Sequence, residues 1–507
     1  MIKICMEKYK DLKKIINNFR SYDQDQPYWD TIYISKLLPM DHPAIIISHI
    51  IERLNLDELY NCYSHEGNPS YHPKMMLKVL FYGYYCGVMS CRKLWEAVMY
   101  RADFIFLAAG NVPNFRTIND FRLRHLKHLP GLFSQIVLLC IILGMIGFEN
   151  LTIDGQLIQA NASYKMNKDK EGLKKEYEKT KEGMKKLLEK EPSEDFPQEL
   201  KDKRIKKVAQ KLYKIEEMQK QLESFIAEEK KEENNNERKD GGKRRREKDI
   251  NKVKLNMTDS DAKQLRQKDN RSLPSYNHQS ATDGKLGVVC AAQTTQRPDN
   301  PDDLFPLIDM VELNTGTIFK NVLADCAFGS YENYEKMEQR EEDYFVPDEI
   351  HTGMKRGKFQ RNGYAREFFI KTVDGNYLCP EGQLMEFTSR VKRKDHEVDI
   401  YKGKMCSTCD KRELCTNGNI RTLQIDTRCK LQDEMREKLE TDRGREIYKK
   451  RKWIAEPNHG DDQKNRGWKQ HHLRSLLKAT GEFLLIKIGT NLRKIVKYRR
   501  MEVLGLT

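Results

Sequence analysis

The chain has 507 residues, 38% hydrophobic and 33% charged, and its 91 Lys and Arg outnumber 76 Asp and Glu for a formal net charge of +15. That length suggests roughly two to four folding units. The balance argues against a membrane protein and against disorder throughout, because the longest apolar run, 136–146, is far shorter than the ~20 residues of a span. With no apolar leader at the start, the twelve cysteines point to a reducing compartment, and the excess of cations favours a polyanionic partner.

Residues 1–131 are expected to be all-α. His72-Pro73 opens a helix in which Met76, Leu77, Leu80, Phe81 and Tyr84 follow the 3.6-residue period, and Cys86-Gly87 ends it. Ser90 can cap a second helix, with Leu94, Val98 and Met99 on one face. A third, starting at Thr117 with Asp120 three residues on, carries Arg122, Arg124, His125 and Lys127. Three short helices with a basic third one fit a helix-turn-helix DNA-binding domain. A helical bundle with a solvated basic face fits the same pattern.

The run 136–146 reads as a buried helix, and FENLTIDGQLIQANAS as a strand interrupted at Asp154-Gly155. Residues 165–250 differ in composition. Ile205, Val208, Leu212, Ile215, Leu222 and Ile226 form one apolar seam, with Gln219 in the vacant position, and Leu173, Tyr177, Met184 and Leu187 form another. The two arms, parted by Pro192 and Pro197, predict an antiparallel helical hairpin or short coiled coil. The tract KKEENNNERKDGGKRRREK that follows is too polar to bury anything and is expected to be flexible.

From 251 an α/β pattern resumes. SYNHQSATDG and KLGVVCAAQTT read as paired strands, DDLFPLIDMVELN as a helix, NVLADCAFGS as a strand ending at Asp325, YENYEKMEQRE as a helix and DYFVPD as a strand. This order implies a mixed sheet covered by helices. Residues 361–430 are turn-rich and hold Cys379, Cys406, Cys409 and Cys415; the stretch from 431 is helical and basic.

No phosphate-binding loop, dinucleotide fingerprint, GxSxG elbow or HExxH motif occurs. Instead Asp154 and Asp325 each follow three mostly apolar strand residues, where a carboxylate can leave the core. Two such carboxylates on neighbouring strands suit Mg²⁺, a hard cation that prefers oxygen ligands. A third acid, Glu456, precedes a cationic stretch. From Lys464 to Arg500 there are eleven Lys or Arg, among them Arg466, Lys469, Arg474, Arg493 and Lys494, against one acid, Glu482. That arrangement fits a metal ligand beside a phosphate-binding surface; a helix N-terminal Glu is the bland alternative.

TIDGQLIQANAS, the block TDSDAKQLRQKDNRSLPSYNHQSATDGKLGVVCAAQ, NVLADCAFGS and the helix from Tyr448 to NLRKI together resemble the DDE transposases of bacterial insertion sequences. YSHEGNPSYHPKMMLKVLFYGYYCGVMSCRKLWEAV and NFRTINDFRLRH resemble that family's first domain. The resemblance covers nearly the whole chain except the 165–250 arm. It implies a ribonuclease H-like mixed sheet with flanking helices, made by 132–164, 251–360 and 431–507. To this are added an all-α N-terminal DNA-binding domain at 1–131, a helical-hairpin insertion at 165–250 and a cysteine-bearing insertion at 361–430. It also implies that Asp154, Asp325 and Glu456 are the catalytic, metal-holding triad, and that Tyr448, Arg451 and Lys464 contact DNA near the transposon end. The spacing from Glu456 to Lys464 is longer than the family's, and Asp461 and Asp462 intrude there.

Such a ligand set can hold two Mg²⁺ or Mn²⁺ ions about 3.5–4 Å apart, for water attack on a phosphodiester and then attack of the freed 3′-OH on target DNA. The expected partners are double-stranded transposon ends and target DNA, with a homodimer on the DNA and a cytoplasmic, nucleoid-associated location. Two rivals remain open: a catalytically inactive transposase-derived DNA-binding protein, and a metal-dependent nuclease without strand transfer. Cys379, Cys406, Cys409 and Cys415 are candidate ligands of a structural Zn²⁺, against four reduced thiols. His125 and His128 are expected to face DNA or solvent. Trp453 and Trp468 are expected to pack in the core, with base stacking as the alternative.

Overall fold

The structure is a computed structural model that describes residues 19–25, 34–64, 66–193, 195–236, 254–267, 269–297, 301–355, 364, 366–393 and 396–503. The polar tract expected to be flexible falls largely outside the described residues.

Proline and histidine start the first helices. α1 (Pro43–Glu52) and α2 (Pro73–Cys86) each place Pro at the first turn, and the imidazoles of His42 and His72 accept from the Ala44 and Lys74 N–H groups. Gly87, at φ 82°, ends α2 in the left-handed conformation that a side chain disfavours. α3 (Cys91–Tyr100) follows. α4 (Phe115–Arg124) begins two residues before the expected Thr117, because Asn114 takes the cap and accepts from the Arg116 and Thr117 N–H groups. α5 (Leu129–Ile142) is the apolar helix leading to the sheet.

β1 (Asn150–Gln159) runs unbroken through Asp154-Gly155, correcting the expected interruption; residues 151–159 all lie in register with a neighbouring strand, which holds the chain extended. α6 (Lys170–Glu189) and α7 (Gln198–Asn236) form an antiparallel hairpin, registered by Lys170–Glu223, Glu176–Lys211 and the Lys201 contact to the Leu188 carbonyl. Its core joins Leu173, Ile215, Met218, Leu222 and Ile226 to Leu255 and Met257. Met218, not Gln219, fills the seam position, since one step along the helix turns the apolar side chain inward.

β2 (Ser272–Asp283), β3 (Val289–Thr295), α8 (Leu304–Thr315), β4 (Asn321–Leu323) and β5 (Asp343–Phe345) follow in the expected order. The sheet runs β3–β2–β1–β4–β5, with a short strand Lys263–Arg266 extending the β3 edge. β2 runs antiparallel to both of its neighbours, β1 and β3, whereas β4 and β5 run parallel to β1. Residues 361–430, expected to be turn-rich, instead carry a second, antiparallel sheet of five strands: Ile370–Lys371, Tyr377–Leu378, Leu384–Lys392, Glu397–Gly403 and Thr422–Asp426. Their alternation is masked in the sequence by exposed charged residues. The chain closes with α9 (Cys429–Glu440), α10 (Asp442–Gly460) and α11 (Leu476–Val503).

α11 organises the rest. Phe483, Leu485, Ile486, Ile488, Leu492, Ile495 and Val496 are buried, and so are the polar Glu482, Lys487, Thr490 and Asn491 between them. A helix buried on all sides is a core element rather than a surface one. α2, α5, α11 and the sheet therefore share one hydrophobic core. Gly489 allows the close crossing of α11 over α2, since a Cβ there would lie 2.9 Å from the Tyr84 carbonyl oxygen. Asn491 bonds both the N–H and the carbonyl of Val289, at 2.8 Å each, and so completes the edge of β3. Among the described residues, no single helix is long and apolar enough to cross a membrane.

One buried ion cluster fixes α11 against the end of α10. Asp462 accepts from Lys487 Nζ at 2.7 Å and Gln156 Nε2 at 2.9 Å, and also pairs with Arg466, which in turn reaches the Ile486 carbonyl at 2.8 Å. Burial alone would raise the Asp462 carboxyl, but Lys487 and Arg466 outweigh it and hold it below its ordinary range. Asp462→Asn keeps the shape and strands two buried cations, so urea unfolding is expected to show a loss of about 3–5 kcal/mol. An unchanged midpoint would show that the cluster contributes nothing.

Candidate active site

The parallel pairing of β1 with β4 builds the site. Its register sets Leu151 opposite Val322 and Thr152 opposite Leu323. Carried two residues further, it sets Asp154 opposite Asp325, just past the end of β4. Asp325 caps the turn Cys326–Phe328 by accepting from the Ala327 N–H at 3.0 Å, which fixes its carboxylate at the strand mouth. Asp325 lies beyond the last paired residue of β4, and the charges of both sequence-predicted aspartates reach Arg451, so the two stand at the same edge of the sheet.

α10 crosses that edge. Arg451 Nη1 lies 3.3 Å from Asp154 Oδ1, and His459 Nε2 lies 3.4 Å from Asp154 Oδ2. Arg451 also feels the charge of Asp325, and its guanidinium sits 6.0 Å from the centre of the Tyr448 ring. Burial would raise the Asp154 carboxyl, but His459, Arg451 and the Gly155 N–H outweigh it, so the group stays ionised well into the acid range. Burial pushes the Tyr448 hydroxyl up to about 12, keeping it a neutral donor.

Glu456 is on the same helix but on its exposed flank, about 60° around from His459 and about 140° from Arg451 at 100° per residue. Among the described residues, no hydrogen bond or ion pair joins it to either aspartate. Pro457 follows it inside the helix and removes one backbone donor. Residues Asp461–Asn465 then form a π turn, which absorbs the long Glu456–Lys464 spacing. The intruding acids have structural partners: Asp462 in the buried cluster and Asp461 paired with Arg466 and Arg493. β1 anchors this region through one side chain and one backbone carbonyl. Gln156 bonds Asp462 at 2.9 Å and Gln463 at 3.1 Å, and the Gln159 carbonyl accepts from the His471 N–H at 2.9 Å.

The expected DNA-contacting cations divide into two groups. Lys464, Lys469, Arg474 and Arg124 are exposed, with Arg474 donating to the Asn161 carbonyl and Arg124 lying over the Tyr63 ring. Arg493 and Lys494 are half-buried. Arg122 and Arg466 correct the expectation: both are buried. Arg122 donates to the Tyr84 hydroxyl and the Met89 carbonyl, and Arg466 is held by its acids, so neither presents charge to a phosphate. Trp468 packs in the core as expected, whereas Trp453, at 77% exposed, stands outward on α10. His125 and His128 are buried rather than outward-facing.

Cys379, Cys406, Cys409 and Cys415 line one pocket beside Tyr364, Met385 and Arg421. The Gln383 N–H donates to Cys379 Sγ at 3.3 Å, while burial and the other three sulfurs push the Cys415 thiol up. Four thiols are donors of the kind zinc takes, but no three of these sulfurs lie within 4.8 Å of one another. Among the described residues, only Cys62, His125 and His128 bring three such ligand atoms within 4.8 Å of one another.

Residues 32–124 match the family described as Transposase domain (DUF772), and residues 378–496 match the family described as Transposase DDE domain. The second stretch holds the four pocket cysteines and the whole of α10; Asp154 and Asp325 lie between the two matched stretches. No curated protein and no solved structure matches the chain.

The low position of the Asp154 carboxyl has a testable sign. Its folded value lies below the unfolded ~3.9, so its ion pairs stabilise above about pH 4 and are lost as pH falls through the folded value. In EDTA, Asp154→Asn is expected to cost about 1–3 kcal/mol at pH 7. That difference should shrink steadily between pH 5 and pH 3 in thermal melts; a difference independent of pH would contradict the pairing.

Proposed function

This chain belongs to the DDE transposases of the insertion-sequence type, and on that footing we propose that it binds transposon ends, cuts their phosphodiester bonds and joins the freed 3′-OH ends to target DNA. The observation that carries this reading is the sheet edge shared by Asp154 and Asp325 under the cationic face of α10. Three antiparallel strands followed by two parallel ones, with acids on the first and just after the fourth in sheet sequence, support a ribonuclease H-like core.

Asp154 and Asp325 present ionised oxygen donors of the kind Mg²⁺ or Mn²⁺ takes, so the residues fit the metal the family implies. Bound there, the ions, two in this chemistry, supply Lewis-acid polarisation of the phosphoryl oxygen and an acidified water. Glu456, the third carboxylate that the family resemblance implies, stands on the exposed flank of α10 and would have to turn toward Asp154 and Asp325 to complete the set. Arg451, now neutralising Asp154, is the side chain placed to turn its fork of donors to a non-bridging phosphate oxygen once a cation takes over that task. His459 shares the same carboxylate and must release it at the same moment. Tyr448 stacks under Arg451 and limits its swing. Exposed Lys464, Lys469 and Arg474 lie on the segment beyond the acids and position the DNA backbone. In the cysteine-bearing sheet, Cys379, Cys406, Cys409 and Cys415, which line one pocket, would hold a structural Zn²⁺ if their sulfurs drew together, and the ion would tie the turns there.

In cleavage, a water oxygen bonds to phosphorus as the bond to the 3′ oxygen breaks, leaving a 3′-OH and a 5′-phosphate. In joining, that 3′-OH makes the same exchange on target DNA, so one phosphodiester replaces another. With Mg²⁺ and end-bearing DNA, Asp325→Ala is expected to lower cleavage by about a thousandfold or more, the scale of several kcal/mol of lost charge stabilisation. End binding in a mobility-shift assay should change little. Glu456→Gln should fall to a similar level. Cleavage retained by Asp325→Ala would remove the metal-site reading, and joining absent from pre-cut ends in the wild-type chain would leave a nuclease.

A further inference from the structure

A second set of ligand atoms lies in the N-terminal helical layer, unconnected with the carboxylate row. Cys62 follows the short helix Asp57–Tyr60, and His125 precedes and His128 ends the turn Leu126–His128 after α4. One ligand atom from each of the three lies within 4.8 Å of the others. His128 Nε2 is 3.5 Å from Cys62 Sγ. A tetrahedral zinc, with Zn–S about 2.3 Å and Zn–N about 2.0–2.1 Å, sets its sulfur and nitrogen ligands about 3.6 Å apart. These two atoms already stand at the edge length of such a site.

The atoms behind them are arranged to match. Glu58 Oε2 lies 3.0 Å from His128 Nδ1, which places the imidazole proton on that side and leaves the lone pair of Nε2 toward the sulfur. A carboxylate in this position is how metal-bound imidazoles are commonly oriented. His125 Nε2 meets the Tyr63 hydroxyl at 3.1 Å, while its Nδ1 is buried with no hydrogen-bond partner, in a residue only 2% exposed. A buried ring nitrogen left without a partner is costly, and a cation removes that cost.

We propose that Cys62, His125 and His128 hold a zinc-class divalent cation, with the fourth position open to solvent or a further ligand. One thiolate and two imidazoles select a borderline-soft ion over Mg²⁺, so this site and the carboxylate row would not compete for one metal. The ion fastens the turn after Asp57–Tyr60 to the end of α4, directly beside Tyr63 and the exposed Arg124. It would be a staple for the basic edge of the helical layer.

The test needs no variant at first. The full-length chain is treated with a thiol alkylator in EDTA, in Mg²⁺ or in Zn²⁺, and modification of the peptide carrying Cys62 is followed by mass spectrometry, apart from the other cysteines. Zn²⁺ is expected to slow alkylation of half-buried Cys62 by about tenfold or more relative to EDTA, and Mg²⁺ to leave it unchanged. His128→Ala, with its helical circular dichroism retained, should lose the Zn²⁺ protection at Cys62 and keep any protection at Cys406 and Cys409. Equal Cys62 rates in Zn²⁺ and EDTA, or protection that survives His128→Ala, would overturn the proposal.

Discussion

Two carboxylates facing each other across neighbouring parallel strands repel, and a sheet tolerates that pair only if positive charge is held close by. The β1–β4 register, which pairs Asn150–Thr152 with Asn321–Leu323, brings the two acids to one edge of the sheet, and α10 supplies Arg451 and His459 against Asp154. β1 cannot slip by one residue without turning Asp154 to the opposite face, away from Arg451 and His459, and breaking the Gln156 bonds to Asp462 and Gln463. Everything chemical in the chain depends on that register and on the helix laid across it.

α10 keeps its place through contacts that are not themselves chemical. The π turn at Asp461–Asn465 swings Asp462 beneath the helix end, where Gln156, Arg466 and Lys487 close on it. Lys487 belongs to α11, and α11 is packed into α2, α5 and β3. A chain of direct contacts therefore runs from the N-terminal helices through α11 to the carboxylate row. The cations that the C-terminal stretch carries are divided by this packing: some neutralise buried acids, and others remain on the surface for a polyanion.

Much of this was legible in the sequence, and the reasons for the misses are physical. Period and helix-end signals located α2, an apolar run located α5 although the helix spans Leu129–Ile142 rather than 136–146, and apolar runs located β3 and β4 with the polar β2 as partner of β3, because burial imposes those patterns directly. Asp154 and Asp325 stood out as acids at strand ends. Arg122, Arg466 and Lys487 read as surface charge because a buried cation is recognisable only through its partners, and Asp462 was itself taken for an intrusion. His459 carried no signal beyond lying three residues after Glu456. The sheet in residues 361–430 was hidden by strands with charged, exposed faces, whose alternation is weak. His125 and His128, three residues apart, did show ligand spacing, but Cys62 and Glu58 reach them only through the fold.

The central claim is that the Asp154–Asp325 row is a divalent-cation site. The most direct measurement is anomalous diffraction at the manganese edge from crystals of the chain equilibrated with MnCl₂. The account predicts manganese density shared by the Asp154 and Asp325 carboxylates, with Arg451 and His459 drawn off Asp154. Manganese bound elsewhere, with Asp154 still paired to Arg451 and His459, would contradict it.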